Sequence, residues 1–169
     1  MFSTGNATHF SQGAIQLLDA INCDTFAFGS EQGTIQPFLS TYSLLEKNKE
    51  EYNTLIKQFV TTGVSYPQSL YMAYEKLKQK EPGEYIDLSQ PNNILGYHYI
   101  EAANRLKLSI KPVTIQRIQA GYHDSIDCDS TIASATGIRK AIFEQQAIEE
   151  IAAYVPPATL LQLEDWKAK

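Results

Sequence analysis

The sequence predicts an α/β fold that is rich in helices and contains few, parallel strands. Short apolar runs at residues 25–28 and 111–116 are typical of buried strands, and helical apolar patterns separate them. Strands joined through long helical connections pair in parallel. The 169 residues, 43% of them hydrophobic, are enough for one core. Because open sheets usually contain about four to six strands, two strands indicate either unrecognised strands or part of a larger fold.

The first 80 residues alternate between helical patterns and one strand-like run. Apolar side chains recur every three or four positions in the helical stretches. Gly29 stops the strand-like run, and Gly63 and Pro67 interrupt the helical pattern, because both residue types disfavour regular structure. The predicted elements are a helix over 6–24, a strand over Thr25 to Phe28, a helix over 36–60 and a helix over 66–80.

The remaining residues continue the alternation. β-branched residues favour a strand in "KPVTIQ". Small hydroxyl residues before "GIRKAIF" are typical of a helix start. Pro156-Pro157 end the helical pattern over 147–155. The predicted elements are a loop over 81–93, a helix over 94–106, a strand over Lys111 to Gln116, a loop over 119–131, a helix opening in "SATGIRK" and broken at Gln145-Gln146, a helix over 147–155 and a terminal helix over 158–169.

Composition excludes some classes of function. The net charge of −5 provides no general attraction for nucleic acid, so such a partner would need a local basic patch. Cys23 and Cys128 form no CxxC motif or even-numbered framework, which favours a reducing compartment. Because the sequence contains neither a signal peptide nor a long apolar run, we expect a soluble, cytoplasmic protein with no membrane partner.

The common short catalytic signatures are absent from the sequence. It contains no GxxxxGK[ST], HExxH or GxSxG motif and no zinc spacing. His98 is interpreted as a packed, hydrogen-bonded residue, and a loop hydrogen bond is favoured over catalysis for His123. The acidic run of Asp124, Asp127 and Asp129 could hold a divalent cation, but a solvated loop is favoured. The residues therefore assign no catalytic group and no metal ligand.

Three positions at predicted element ends are better candidates for ligand binding. Gly29 opens a turn at the carboxyl end of a strand, where α/β sheets bind ligands and where glycine permits close backbone approach. Asn92 and Asn93 precede a predicted helix and could cap it or present an amide to a purine or ribose. Arg117 ends the second strand, where a cation suits an anionic ligand or a surface salt bridge.

The stretch "ASATGIRK" is the fourth candidate. Ser134 or Thr136 can cap the helix, whose free N–H groups would then point outward. Arg139 and Lys140 are predicted in or near the first turn, where the helix dipole disfavours a cation. Two cations at this end indicate a bound anion, so the stretch predicts a phosphate site.

Four sequence blocks resemble one enzyme family. "FGSEQGTIQPF", "LSQPNNILGYHYI", "IQRIQAGYHD" and "IASATGIRKA", in this order, resemble the tRNA(Met) cytidine acetate ligase family of the HIGH-type nucleotidyltransferases. With "YVPPAT" the resemblance covers nearly the whole chain. It implies a Rossmann-like domain that binds ATP, activates acetate as acetyl-adenylate and acetylates the wobble cytidine of elongator methionine tRNA.

The same resemblance implies an ATP site. Matched residue by residue, Gly29 lines the nucleotide, the family's asparagine is Asn92 or Asn93 with Asn92 favoured, and Arg117 is followed by Ile118. The last block places Ser134, Thr136 and Arg139 at the triphosphate, and magnesium is expected to bridge the phosphates. The ATP-binding residues that the resemblance implies are Gly29, Asn92, Asn93, Arg117, Ile118, Ser134, Thr136 and Arg139.

One departure from the family shapes the domain prediction. The family begins with a strand and an "NPFHNGH"-like loop, which this sequence does not contain. We therefore expect residues 1–169 to be the later half of a partial Rossmann-like nucleotidyltransferase domain, with a helical tail at about 146–169, and expect the chain alone to be inactive. The alternatives are a non-catalytic nucleotide-binding, tRNA-binding or assembly module, paired with an N-terminal half or with copies of itself, and a related nucleotidyltransferase with another substrate.

Overall fold

A computed structural model of the chain describes residues 5–117, 133–145 and 148–167. The chain divides into two compact units, Met1–Gln116 and Arg117–Lys169. The first unit contains α1 (Ala7–Ala20), β1 (Thr25–Ser30), α2 (Gln36–Lys47), α3 (Lys49–Thr61), α4 (Tyr66–Lys80), α5 (Pro91–Arg105) and β2 (Lys111–Gln116). The second contains α6 (Ala135–Lys140), a π-helical turn (Ala141–Gln145), a 3-10 turn (Ile148–Ile151) and α7 (Pro157–Lys167). The predicted helix-rich α/β class is confirmed.

The two strands form a parallel pair in the first unit. Thr25 pairs with Lys111, and the register continues to Ser30 opposite Gln116. Side chains alternate along β1, so that Phe26, Phe28 and Ser30 are buried and the residues between them are exposed. Because the strands are parallel and in register, their carboxyl ends, Ser30 and Gln116, lie side by side at one edge of the sheet.

Helix α5 forms the centre of the core. It packs against α1, α2 and β1. The first position of α5 is proline, which has no N–H. The N–H of any other residue at this position would lack a helical acceptor, so proline is favourable here. The main apolar cluster consists of Ile15, Phe26, Phe28, Phe38, Ile86, Ile100, Ala102, Ala103 and Ile110. This packing holds the first turn of α5 beside the end of β1.

The predicted helix over 36–60 is two helices. Asn48 separates them: its backbone N–H and its side-chain Nδ2 both donate to the Leu44 carbonyl, and Nδ2 also donates to Glu81 Oε1 at 2.9 Å. Asparagine side chains compete with the backbone for such hydrogen bonds and so favour helix ends. The apolar stripe continues across the break, which is why periodicity alone did not show it.

Three other predicted boundaries are wrong. The first helix, predicted over 6–24, ends at Ala20. The strand predicted over Thr25 to Phe28 runs to Ser30, because Gly29 and Ser30 pair with Ile115 and Gln116. The helix predicted to follow Asn92 and Asn93 begins at Pro91, so both asparagines lie in its first turn, after the capping position.

In the second unit, the predicted helix start is confirmed. Ser134 is the N-cap of α6, and its Oγ accepts a 2.9 Å hydrogen bond from the Gly137 N–H. The predicted helix over 147–155 is only a short 3-10 turn where the structure describes it, and Pro157 opens α7 rather than preceding it. No helix among the residues with described structure is both long and apolar enough to span a bilayer.

Candidate functional site

The carboxyl edge of the sheet collects two of the predicted segments. Gly29 lies on the exposed side of β1, one residue before its end. Ser30 is buried, and Glu31 follows it at the first position beyond the strand. The first turn of α5, with Asn92 and Asn93, contacts Glu31 directly. The structure therefore brings Gly29 and the two asparagines into one part of the first unit.

The Glu31 carboxylate joins the end of β1 to the start of α5. Oε1 accepts from Asn92 Nδ2 at 2.6 Å and from the Asn92 N–H at 3.4 Å, and Oε2 accepts from the Asn93 N–H at 2.9 Å. The first N–H groups of a helix have no helical acceptor and carry partial positive charge. Glu31 thus supplies, from within the chain, the anion that the start of α5 would otherwise attract.

The two asparagines play different structural parts. Asn93 is 2% exposed; its Oδ1 accepts from the Gln32 N–H at 3.1 Å, and its Nδ2 donates to the Asp87 carbonyl at 3.1 Å. Asn92 is half-buried and bonds only Glu31 among the described residues. Asn93 therefore holds the loop together, whereas Asn92 keeps an unoccupied amide oxygen.

Hydroxyl groups fix the end of the strand pair. Thr114 Oγ1 donates to the Phe28 carbonyl at 3.0 Å and lies 2.7 Å from Ser30 Oγ, which accepts from the Gly33 N–H at 3.0 Å. Because the single hydroxyl proton of Thr114 is used on Phe28, Ser30 is the donor to Thr114. Gly33 has φ +76°, and a side chain there would collide with Gln116, so the loop turns back tightly over the end of β2.

The loop before α5 is held by Asp87. Burial opposes ionisation of this carboxyl group, but hydrogen bonds from the side chain and backbone of Ser89 and from Gln90 outweigh it and keep its pKa below the ordinary value. The Ser89 N–H donates to Asp87 Oδ1 at 2.8 Å. The ionised carboxylate thereby fixes the backbone that leads to Asn93.

The second unit presents the remaining described candidates. Thr136 is half-buried, and Arg139 is exposed. Arg139 and Lys140 directly follow the first turn of α6 and are also the last two of its six residues, before the π-helical turn that begins at Ala141. Cations are favourable at a helix's carboxyl end, so their position needs no bound anion. Lys140 also lies 4.0 Å from Glu144.

Of the remaining predicted positions, some lie outside the described residues and two, Arg117 and His98, lie within them. Arg117 is exposed and directly follows β2 in the chain. Ile118, His123 and the acidic run of Asp124, Asp127 and Asp129 lie outside the described residues. Among the residues whose structure is described, no three His, Cys, Asp or Glu side chains are placed to hold a metal ion. His98 Nδ1 lies 3.0 Å from Glu101 Oε2, which confirms it as a hydrogen-bonded helix residue.

A pocket of about 340 Å³ lies elsewhere in the first unit, between α2 and the loop that follows α4. Its charged side chains, Lys47 and Glu81, are paired at 3.0 Å, and Glu81 also accepts from Asn48. These contacts hold the helices together. The edge formed by Gly29, Glu31 and Asn92 remains the best candidate site in this unit.

Sequence reasoning left Glu31 without a role. Its contact with Asn92 spans 61 residues. A single sequence offers no means of pairing positions so far apart. The available signal was an acidic residue directly after a buried strand, together with a helix that begins without a capping side chain.

Comparisons with known proteins show the family of the chain. The family model described as HIGH Nucleotidyl Transferase matches residues 1–169. A tRNA(Met) cytidine acetate ligase of Lysinibacillus sphaericus is 57% identical over 98% of this chain and 41% of its own length. That of Halalkalibacterium halodurans is 41% identical over 98% of this chain and 39% of its own length. The chain thus spans about two-fifths of these curated relatives.

Two solved structures share the fold. The apo crystal structure of Thermotoga maritima TmcAL has a TM-score of 0.80 and 27% identity, covering 97% of this chain and 39% of that one. The structure of the same protein bound with alpha-thio ATP has a TM-score of 0.75 and 27% identity, covering 97% of this chain and 38% of that one.

Proposed function

Since the chain belongs to the HIGH nucleotidyl transferase family, we propose that it carries part of the ATP site of a tRNA(Met) cytidine acetate ligase. One observation carries the proposal: Asn92 bonds Glu31, two residues after Gly29, at the carboxyl ends of two parallel strands, the edge at which α/β sheets bind ligands. The 57% identity to the Lysinibacillus sphaericus ligase supports the substrate assignment. Such an enzyme uses tRNA in the cytoplasm.

The reaction of the whole enzyme would activate acetate with ATP. An acetate oxygen attacks the α-phosphorus, the bond to the bridging oxygen breaks, and pyrophosphate leaves with its electrons. The resulting acetyl-adenylate then donates its acetyl group to the wobble cytidine of elongator tRNA(Met), and AMP leaves. Because charge moves onto the departing phosphates, fixed positive groups there would lower the barrier.

The residues proposed to bind ATP fall into two groups along the chain. Because Glu31 already neutralises the start of α5, the edge beside it suits the uncharged base or ribose rather than a phosphate. Gly29 leaves room for the nucleotide against the strand, and Asn92 offers an amide. Arg139 is exposed and charged, which suits the phosphates, with Ser134 and Thr136 beside it in the sequence and Arg117 and Ile118 as further contacts.

Magnesium would neutralise charge on the triphosphate when bound. Among the described residues, no cluster of three acidic, histidine or cysteine side chains fits the ion. We therefore assign it no protein ligand. Binding of the phosphates by this chain is proposed to depend on Arg139 and Arg117.

The proposal is tested by comparing two proteins. One is the chain itself, and the other joins it to the N-terminal segment of the Lysinibacillus sphaericus relative. ATP is titrated into each by calorimetry, and each is assayed for acetate-dependent exchange of pyrophosphate into ATP. We expect both to bind ATP and the longer protein to form acetyl-adenylate. A longer protein that folds and binds neither ATP nor acetate would contradict the proposal.

A second candidate is a nucleotide-binding, tRNA-binding or assembly module without turnover of its own. Acetyl-adenylate formation by the chain alone would exclude this candidate. Light scattering would show whether the chain associates with itself, and mixing with the separate N-terminal segment would show whether the two assemble.

A further inference from the structure

The side-chain amide of Asn92 has only one acceptable orientation. Its Nδ2 lies 2.6 Å from Glu31 Oε1. A carboxylate accepts hydrogen bonds and cannot donate them, so the amide must turn its NH2 group towards Glu31. The reverse orientation would place the Asn92 oxygen against the Glu31 oxygen at hydrogen-bonding distance, with like partial charges facing each other. Glu31 therefore decides which end of the amide remains available.

Glu31 cannot turn away without losing other contacts. Its Oε2 accepts from the Asn93 N–H at 2.9 Å, and its Oε1 lies 3.4 Å from the Asn92 N–H. The loop that carries Glu31 is tied down by the Gln32 N–H, which donates to the buried Asn93 side chain. If Glu31 turned away, these helix N–H groups would lose their acceptor. That loss would destabilise the fold by more than one new surface hydrogen bond of Glu31 would stabilise it. The carboxylate is therefore a fixed acceptor.

The remaining end of the amide is an unused acceptor. Asn92 Oδ1 accepts no hydrogen bond from the described residues, and the side chain is only half-buried. Its amide bonds Glu31, which directly follows β1, so the side chain lies at the carboxyl edge of the sheet. A ligand that binds at this edge and carries a hydrogen-bond donor can therefore donate to Asn92 Oδ1.

We propose that Glu31 is a positioning residue that makes this site select a purine with an amino group at C6. Asn92 Oδ1 accepts from the 6-amino group of adenine, whereas the 6-oxo group of hypoxanthine or guanine would place acceptor against acceptor. The inference rests on the proposed ATP site and adds the origin of its base preference. A site built to hydrogen-bond a donor discriminates strongly against an analogue that lacks it, because its own acceptor is left unpaired.

ATP and inosine triphosphate differ only in the 6-amino group, which becomes an oxo group, and in N1, which then carries a proton, so their affinities measure the preference. For the native chain, or the longer protein described above, we expect ATP to bind at least about tenfold more tightly, as one lost hydrogen bond predicts. In Glu31→Gln, the new NH2 group can donate to Asn92 Oδ1, which lets the amide turn and present Nδ2 outward. The ratio of the affinity for ATP to the affinity for inosine triphosphate should then fall to about one or below one. Glu84→Gln, on an exposed loop residue, should keep the native ratio.

Asn92→Ala provides a second variant for the case in which Glu31→Gln does not fold. This substitution should lower the affinity for ATP to that for inosine triphosphate. The affinity for inosine triphosphate itself should be nearly unchanged. A native ATP to inosine triphosphate ratio that survives both changes would overturn the inference while leaving ATP binding intact. Equal native affinities, combined with a preference for ATP over 2′-deoxy-ATP, would show that Asn92 reads the ribose and would also overturn it.

Amide exchange separates failure of the inference from failure of the proposed function. Absence of any nucleotide binding by the longer protein would reject the ATP site. The orienting contact itself is measured without ligand by hydrogen exchange at the Asn92 and Asn93 backbone amides. Glu31→Ala should accelerate both by at least about tenfold relative to Glu84→Ala. Unchanged exchange would show that Glu31 does not hold the start of α5.

Discussion

Gly96 on α5 lies directly against the ring of Phe28 on β1. A Cβ atom on Gly96 would overlap Phe28 and would lie 2.8 Å from a ring carbon of Phe38. The absence of a side chain at this position therefore sets how closely α5 approaches the sheet. The same approach brings the first turn of α5 within reach of Glu31.

Gly96→Ala should destabilise the fold. Alanine usually stabilises a helix interior relative to glycine by about 1 kcal/mol, but overpacking a core typically costs about 1–3 kcal/mol. Because both rings are buried, we expect a net loss in the free energy of unfolding, measured by urea denaturation. Asn104→Ala, at an exposed position of the same helix, is the control and should change stability by less than about 1 kcal/mol. Equal effects of the two substitutions would contradict the close contact.

Tyr74→Phe should destabilise the second apolar cluster, formed by Leu44, Leu45, Tyr74 and Leu77. The Tyr74 hydroxyl is fully buried and donates to the Ile86 carbonyl at 2.7 Å. Phenylalanine leaves that carbonyl without its donor, which typically costs about 1–3 kcal/mol. Tyr71→Phe, at an exposed hydroxyl on the same helix, should leave the unfolding midpoint nearly unchanged.

Alkaline pH should unfold the protein through its buried tyrosines. Burial raises the pKa of Tyr52, Tyr74 and Tyr97 above the ordinary value of about 10. The folded state therefore keeps protons that the unfolded chain loses. Stability is fully present below about pH 10 and falls as pH rises above it, by up to about 1.4 kcal/mol per pH unit for each tyrosine. Urea denaturation between pH 8 and 11 measures the slope, which should be shallower in Tyr74→Phe. A slope equal to that of the native chain would show that Tyr74 ionises without unfolding.

Local patterns predicted the elements well and their contacts poorly. The spans of α4 and β2 match the predicted ranges, because Pro67 and the β-branched residues of β2 act through nearby backbone alone. The division of the helix at Asn48 depends on Glu81, which is distant in the sequence. The role of Glu31 depends in the same way on Asn92. The candidate site was located by residue type, whereas its hydrogen bonds required the fold.

Ser11→Ala should stabilise the protein. The Ser11 side chain is fully buried in α1, and its Oγ has no hydrogen-bond partner within the described part of the chain. An unpaired buried hydroxyl costs about 1–3 kcal/mol, and alanine also has the higher helix propensity. Thr41→Val is the contrasting substitution, because Thr41 Oγ1 accepts from the buried Ile86 N–H at 3.1 Å. We expect the unfolding temperature to rise in the first variant and fall in the second. A fall in both would indicate that Ser11 makes a stabilising contact.

Arg139→Ala should weaken binding of the triphosphate without weakening binding of the nucleoside. Arg139 is exposed on α6 and is proposed to contact the phosphates of ATP. Loss of one charged hydrogen bond predicts an affinity about tenfold to a hundredfold lower for ATP, whereas adenosine should bind as before. The difference should shrink as salt rises, because salt screens charge interactions at exposed sites. Lys140→Ala is the matched control, since Lys140 is the next residue of the same helix and lies near Glu144. An equal loss for ATP and adenosine in Arg139→Ala would mean that Arg139 supports the fold of the site, and no loss for either would remove it from the phosphate contacts.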